Sequence, residues 1–158
     1  MIDIIQKQYA LIRSSREVVL NFIETEVGND LNTPVPCFNG QVIRYFLVHT
    51  ADCYFHWLKY FALKEPVRLI DNEDFKSIDL IRKLYTRADE TMVRFLQNFA
   101  DEMETPVTGV HNRSGLVSVT PLQLFTHVTT HEFHHKGQIV TMCRLLGYIP
   151  PDTDVIRF

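Results

Sequence analysis

TPLQLFTHVTTHEFHHKGQIVTMCRLL, running from Thr120 to Leu146, holds four of the seven histidines and decides how the rest of the chain is read. Thr120-Pro121-Leu122-Gln123 has the form of a helix start: a capping hydroxyl, proline at the first helical position and glutamine three residues after the cap. Gly147 offers a left-handed stop, and Pro150-Pro151 forbid continuation. A helix bounded this firmly has a definite register. At about 100° per residue, His131 and His135 lie within roughly 40° of each other, sharing a stripe with Leu124, His127, Gln138, Met142 and Leu145. Imidazole nitrogens then sit where a core should be apolar. Burying one without a partner costs about 1–3 kcal/mol, and a divalent metal ion would satisfy several at once.

Working outward, residues 2 to 27 place Ile5, Tyr9, Ile12, Val19, Phe22 and Ile23 at near-helical spacing, and Gly28-Asn29-Asp30 ends the pattern. The prolines of Asn32-Thr33-Pro34-Val35-Pro36 turn the chain. Asn39 is placed to cap a second helix running to about Leu63, with Phe38 stapled against Ile43 and an inward stripe of Val42, Tyr45, His49, Cys53, His56 and Tyr60. Residues 64 to 76 read as a charged loop. Ser77 then caps a third helix, through Ile78, Ile81, Leu84, Tyr85, Ala88, Met92, Phe95, Leu96 and Phe99, that should end near Glu102. Between Pro106 and Thr120 the period changes, and valines and Leu116 flank the turn sequence His111-Asn112-Arg113-Ser114-Gly115, which predicts a short β-hairpin. The expectation is an all-α, four-helix bundle with a hairpin before the last helix, in a single domain spanning 1–158.

Composition narrows the function classes. The net charge of −3, from 19 acidic and 16 basic residues with no basic run, argues against nucleic acid as a partner. The N-terminus lacks a basic region followed by an apolar run, and the most apolar later segment is broken by His49, Asp52, His56 and Lys59, so no membrane span is expected. Three widely spaced cysteines, Cys37, Cys53 and Cys143, suit a reducing cytoplasm and read first as small buried hydrophobes.

Two histidines one helical turn apart can aim two nitrogens at one point, but two ligands do not close a site. His49, mid-stripe in the second helix, is the best third. Three neutral imidazoles, His49, His131 and His135, leave the ion's double charge intact and at least one position open for water or substrate, the pattern of a catalytic rather than a structural site. His56 and His127, a turn or two away on the same stripes, read as satisfied core or pocket-wall residues. His134 points about 100° from His135 and belongs to the flank of the helix. His111 falls in a turn and should be solvated. Cys53, one turn from His49, has two readings beyond packing, as a ligand or as a thiol on the substrate side. Glu132 and Asp52 are candidates to orient a ligand imidazole, with solvated helix flanks as the simpler reading. His131-Glu132-Phe133-His134-His135 matches H-E-x-x-H, the zinc-peptidase signature whose glutamate is the base. Its extended form fails, because Gln138 and Thr141 stand where glycine and a third histidine belong, and no glutamate follows His135.

The stretch from Thr120 to Phe158 resembles the C-terminal segment of the DinB/YfiT-like metalloenzyme family: Thr-Pro, then H-x-x-x-H followed by a basic residue and Gly-Gln, L-x-x-x-G and Pro-Pro-x-x-Asp. His49-Thr50-Ala51-Asp52 with Phe55-His56-Trp57-Leu58 resembles its second-helix segment, and Lys136-Gly137-Gln138 stands where the family usually has Arg-Gly-Gln. The resemblance implies a four-helix bundle holding one divalent ion on His49, His131 and His135, with zinc or nickel expected first and manganese or iron as alternatives. It also implies a small-molecule substrate, including low-molecular-weight thiols, in thiol-dependent S-transferases and related enzymes. A metal-dependent hydrolase would use the same site, and a non-catalytic metal- or ligand-binding bundle is the alternative. A homodimer is expected from the family, supported by the aromatic load of Phe55, Trp57, Phe61 and Phe75.

Overall fold

The computed structural model describes residues 2–111 and 114–157. Four α-helices carry the architecture: α1, Ile2–Phe22; α2, Ile43–Tyr54; α3, Ile78–Asn98; and α4, Pro121–Leu145. A hairpin of β1, Val107–His111, and β2, Gly115–Val119, precedes α4, paired antiparallel from Val107 opposite Val119 to His111 opposite Gly115. Asn112 and Arg113, two of the expected turn residues, lie outside the described residues. No described helix is long and apolar enough to cross a membrane.

Local chemistry sets the ends of α4 as expected. The Thr120 hydroxyl accepts from the Gln123 amide at 3.1 Å and the Gln123 side chain accepts from the Thr120 amide at 2.8 Å, a complete capping box. At the other end Gly147 takes φ 94°, a conformation that a side chain would strain. Ser77 caps α3 through the Leu80 amide, although that helix stops at Asn98, four residues before the expected end. The start of α2 is a correction. Asn39 does not cap it: it adopts φ 55° beside Gly40 at φ 75°, at the tip of a tight loop closed by a bridge between Val35 and Gln41. The loop uses asparagine's tolerance of left-handed backbone, not its capping oxygen. Accordingly α2 begins at Ile43 without a side-chain cap, and Phe38 packs edge-on against Phe46.

A buried ionic network ties the four helices together. Arg16 of α1 donates to both carboxylate oxygens of Glu132 on α4, at 2.8 and 3.0 Å, and to Asp89 of α3 at 2.6 Å. Tyr54 of α2 donates to Glu132, Tyr9 of α1 donates to Asp89, and the Arg16 guanidinium lies 4.6 Å from the centre of the Tyr85 ring. Burial first, then the Glu132 charge, pushes the Tyr54 hydroxyl well above its ordinary value, so it stays a proton donor. The network also corrects the reading of Glu132, which is neither a solvated flank residue nor a partner of a histidine.

The face of α2 expected to point inward is the rim of the core. Among Val42, Tyr45, His49, Cys53, His56 and Tyr60 only Cys53 is buried, whereas Ile43, Leu47, Ala51, Tyr54 and Leu58 form the core face about 150° away. Past Tyr54 the helix widens into π-type turns over Phe55–Ala62. Those turns bury Phe55 and Phe61, while Trp57 and Phe75 are half-buried against the core, so the aromatic load expected to support a dimer is largely covered within the chain. Gly109 of β1 meets this segment so closely that a Cβ would lie 2.8 Å from the Phe61 ring. Among the cysteines, Cys53 and Cys143 are buried as expected and Cys37 is exposed.

Candidate metal centre

Helices α2 and α4 pack antiparallel, and the polar stripe at the edge of each faces the other across the rim of the core. His49 from α2 and His131 and His135 from α4 converge there, one ligand nitrogen of each lying within 4.8 Å of the others. The Nε2 atoms of His49 and His131 are 3.2 Å apart. Two nitrogens each bonded to one tetrahedral ion at about 2.0–2.1 Å are themselves about 3.3–3.4 Å apart, so this spacing suits a shared ion with little movement. The donor set is chemically suited to a borderline divalent metal.

Neighbouring groups hold these rings in place, and burial disfavours the charged form of His131 and His135. Nδ1 of His135 lies 2.5 Å from the Gln138 amide oxygen. An oxygen can only accept, so Nδ1 carries the proton and the Nε2 lone pair is the one left free to take an ion. Tyr45 stacks on His49 with rings 2° from parallel, and Phe46 packs against His135. Burial, with His135 and His49 adding, depresses His131 to about 4, which leaves it unprotonated and able to ligate at neutral pH. His135 is lowered too, by burial first, against the pull of its Gln138 hydrogen bond.

The other histidines fall into place around this cluster. His127 is exposed and stacks beside His131, one turn nearer the start of α4. His134 flanks His135 edge-on. His56 packs edge-on against Trp57 and beside Tyr60, and its Nε2 has no hydrogen-bond partner among the described residues, so it is not the satisfied histidine expected. His111 is a second correction. It is half-buried and stacks flat on Trp57 at 5.2 Å, because the hairpin folds back over the π-helical end of α2. Asp52, half-buried near His49 and His56, is raised by burial. Glu132 has both oxygens engaged by Arg16 and Tyr54, which leaves the zinc-peptidase reading without its base.

Two residues central to this arrangement went unassigned in the sequence, though both left a trace there. Gln138 lies on the histidine stripe three residues after His135, where an amide on a helix reaches back to its neighbour. Arg16 occupies the gap in the α1 stripe between Ile12 and Val19, an arginine where an apolar residue belongs.

The model of the DinB family matches residues 1–158, the whole chain. Among curated proteins, Protein DinB of Bacillus subtilis (strain 168) is 30% identical over 93 residues, 59% of this chain and 54% of that protein. Uncharacterized protein YizA of the same organism is 24% identical over 114 residues, 72% of this chain and 70% of its own length. The match therefore spans about half of the first relative and about two thirds of the second.

Proposed function

The chain belongs to the DinB family, and from that premise we propose that it is a metal-dependent enzyme acting on a small molecule, with one divalent ion held by His49, His131 and His135. The convergence of three imidazoles from two antiparallel helices carries this reading. Such an ion, when bound, supplies a Lewis acid that lowers the pKa of a thiol or water and yields a nucleophile near neutral pH. The three histidines bind it as neutral ligands, and Gln138 holds His135 in the tautomer that can ligate. Tyr45 and Phe46 wall the rings and restrict their motion. Thiol-dependent S-transfer and hydrolysis both fit this donor set. Zinc or nickel is the proposed ion, with manganese or iron as alternatives.

The test is metal analysis joined to a screen of the metal-loaded protein with low-molecular-weight thiols and electrophiles, alongside ester and amide substrates. Turnover that chelator abolishes and metal restores is expected. Bound metal without turnover in any arm would make the protein a non-catalytic metal- or ligand-binding bundle. We further propose one domain, a cytoplasmic home in keeping with the three free cysteines, and a homodimer resting on the family resemblance alone. Sedimentation equilibrium at micromolar concentration giving a monomer mass would dispose of the dimer.

A further inference from the structure

Adding one helical turn on α2 and subtracting one on α4 maps His49 to Cys53, His135 to His131 and His131 to His127. The second trio repeats the first along the same antiparallel pair: the ligand atoms of Cys53, His127 and His131 also lie within 4.8 Å of one another. We propose that these three side chains form a second metal-ligating set, taking a thiophilic divalent ion such as zinc or cadmium. The proposal rests on the reading of the first set only in that the two share His131.

The chemistry of the new set differs from that of the first in one donor. A sulfur ligand favours softer ions than three imidazoles do, so the two positions differ in selectivity. Cys53 is 8% exposed. Burial, with the charges of Asp52 and Glu132, pushes its thiol up to about 12, so without an ion it keeps its proton. Loading the set exchanges that proton for the metal, and one proton leaves to solvent per ion bound. The imidazoles of His127 and His131 lie 23° from parallel with centroids 5.8 Å apart, and Trp57 meets the His127 ring edge-on at 5.2 Å. Because His131 serves both sets, one ion has two positions a turn apart, and a thiophilic ion occupies the position containing Cys53.

Cadmium(II) tests this through its thiolate charge-transfer absorption, read together with equilibrium dialysis. All proteins carry Cys37→Ser, which removes the exposed thiol. Wild-type chain and His49→Ala/His135→Ala are each titrated, with and without Cys53→Ser. The expected result is one cadmium per chain and a thiolate band in both, with Cys53→Ser abolishing the band. Absence of a Cys53-dependent band from both proteins would overturn the proposal. If cadmium binds the wild type without such a band and the double variant binds none, the three-histidine set stands and the second set falls. Cys53-dependent binding that survives the loss of His49 and His135 supports the second set, and the three-histidine set is read separately from the metal-dependent melts of wild type and His135→Ala. Should the double variant fail to fold by circular dichroism, the wild-type titration decides alone.

Discussion

Arg16→Met should be among the most damaging single substitutions in the chain, although Arg16 touches no histidine. The side chains of Arg16 and Glu132 are each 6% exposed, and the substitution strands a buried carboxylate whose remaining hydrogen-bond donor among the described residues is the Tyr54 hydroxyl. Removing one partner of such a pair costs about 3–5 kcal/mol. At about 2–4 °C per kcal/mol for a chain of this size, the melting temperature should fall by about 6–20 °C. Replacing both partners, Arg16→Met with Glu132→Leu, removes the stranded charge and should recover about 2 kcal/mol relative to the sum of the single losses. Asp89 keeps its contacts with Arg13 and Tyr9 in every variant. Urea denaturation at neutral pH of the wild type, both single variants and the double variant gives the cycle. A loss below about 1 kcal/mol for Arg16→Met, the value of an exposed ion pair, would refute the account of this network.

Gly109→Ala should cost about 1–3 kcal/mol through overpacking, since Phe61 is 1% exposed and has no room to withdraw; an unchanged urea midpoint would show that the hairpin can shift. Gln138→Leu should weaken metal binding about 10–100-fold with little change in the apo fold, measured by competition with a chromophoric chelator, and an unchanged affinity would mean that His135 needs no such partner. The pH dependence of the metal-free protein follows from His131, whose value drops from 6.5 in the free side chain to about 4 on folding. Between those values the unfolded chain binds more protons, so stability is complete above 6.5 and declines as pH falls toward 4. In His131→Gln that part of the slope should vanish, and parallel profiles for the two chelated proteins would contradict the assignment.

What the sequence made legible was chiefly what neighbouring residues settle between themselves. The α4 boundaries, the Ser77 cap and the hairpin rest on side chains within a few positions of one another, and all are found. His131 and His135 fall together for the same reason. The inward face of α2 was harder, because the segment is apolar on most sides: Phe46, Leu47, Val48 and Thr50 are all buried, so periodicity alone could not separate core from rim. Asn39 was ambiguous because one residue type serves both capping and left-handed turns, and only the Val35–Gln41 bridge decides between them. His111 and Glu132 depend on long-range information: the first is laid on Trp57 by the folded-back hairpin to which it belongs, the second is paired with an arginine 116 positions away.

The central claim, that His49, His131 and His135 share one ion, is tested most directly by thermal melts of wild type and His135→Ala, each with chelator and with a divalent metal. Binding to the folded state alone adds about 2.7 kcal/mol at a hundredfold excess over Kd, which for a chain of this length is about 5–11 °C. In the wild type, chelator should lower the melting temperature by this order and added metal restore it, while in His135→Ala the two curves should nearly coincide. An equal metal-dependent shift in both proteins would contradict the claim and remove His135 from the site.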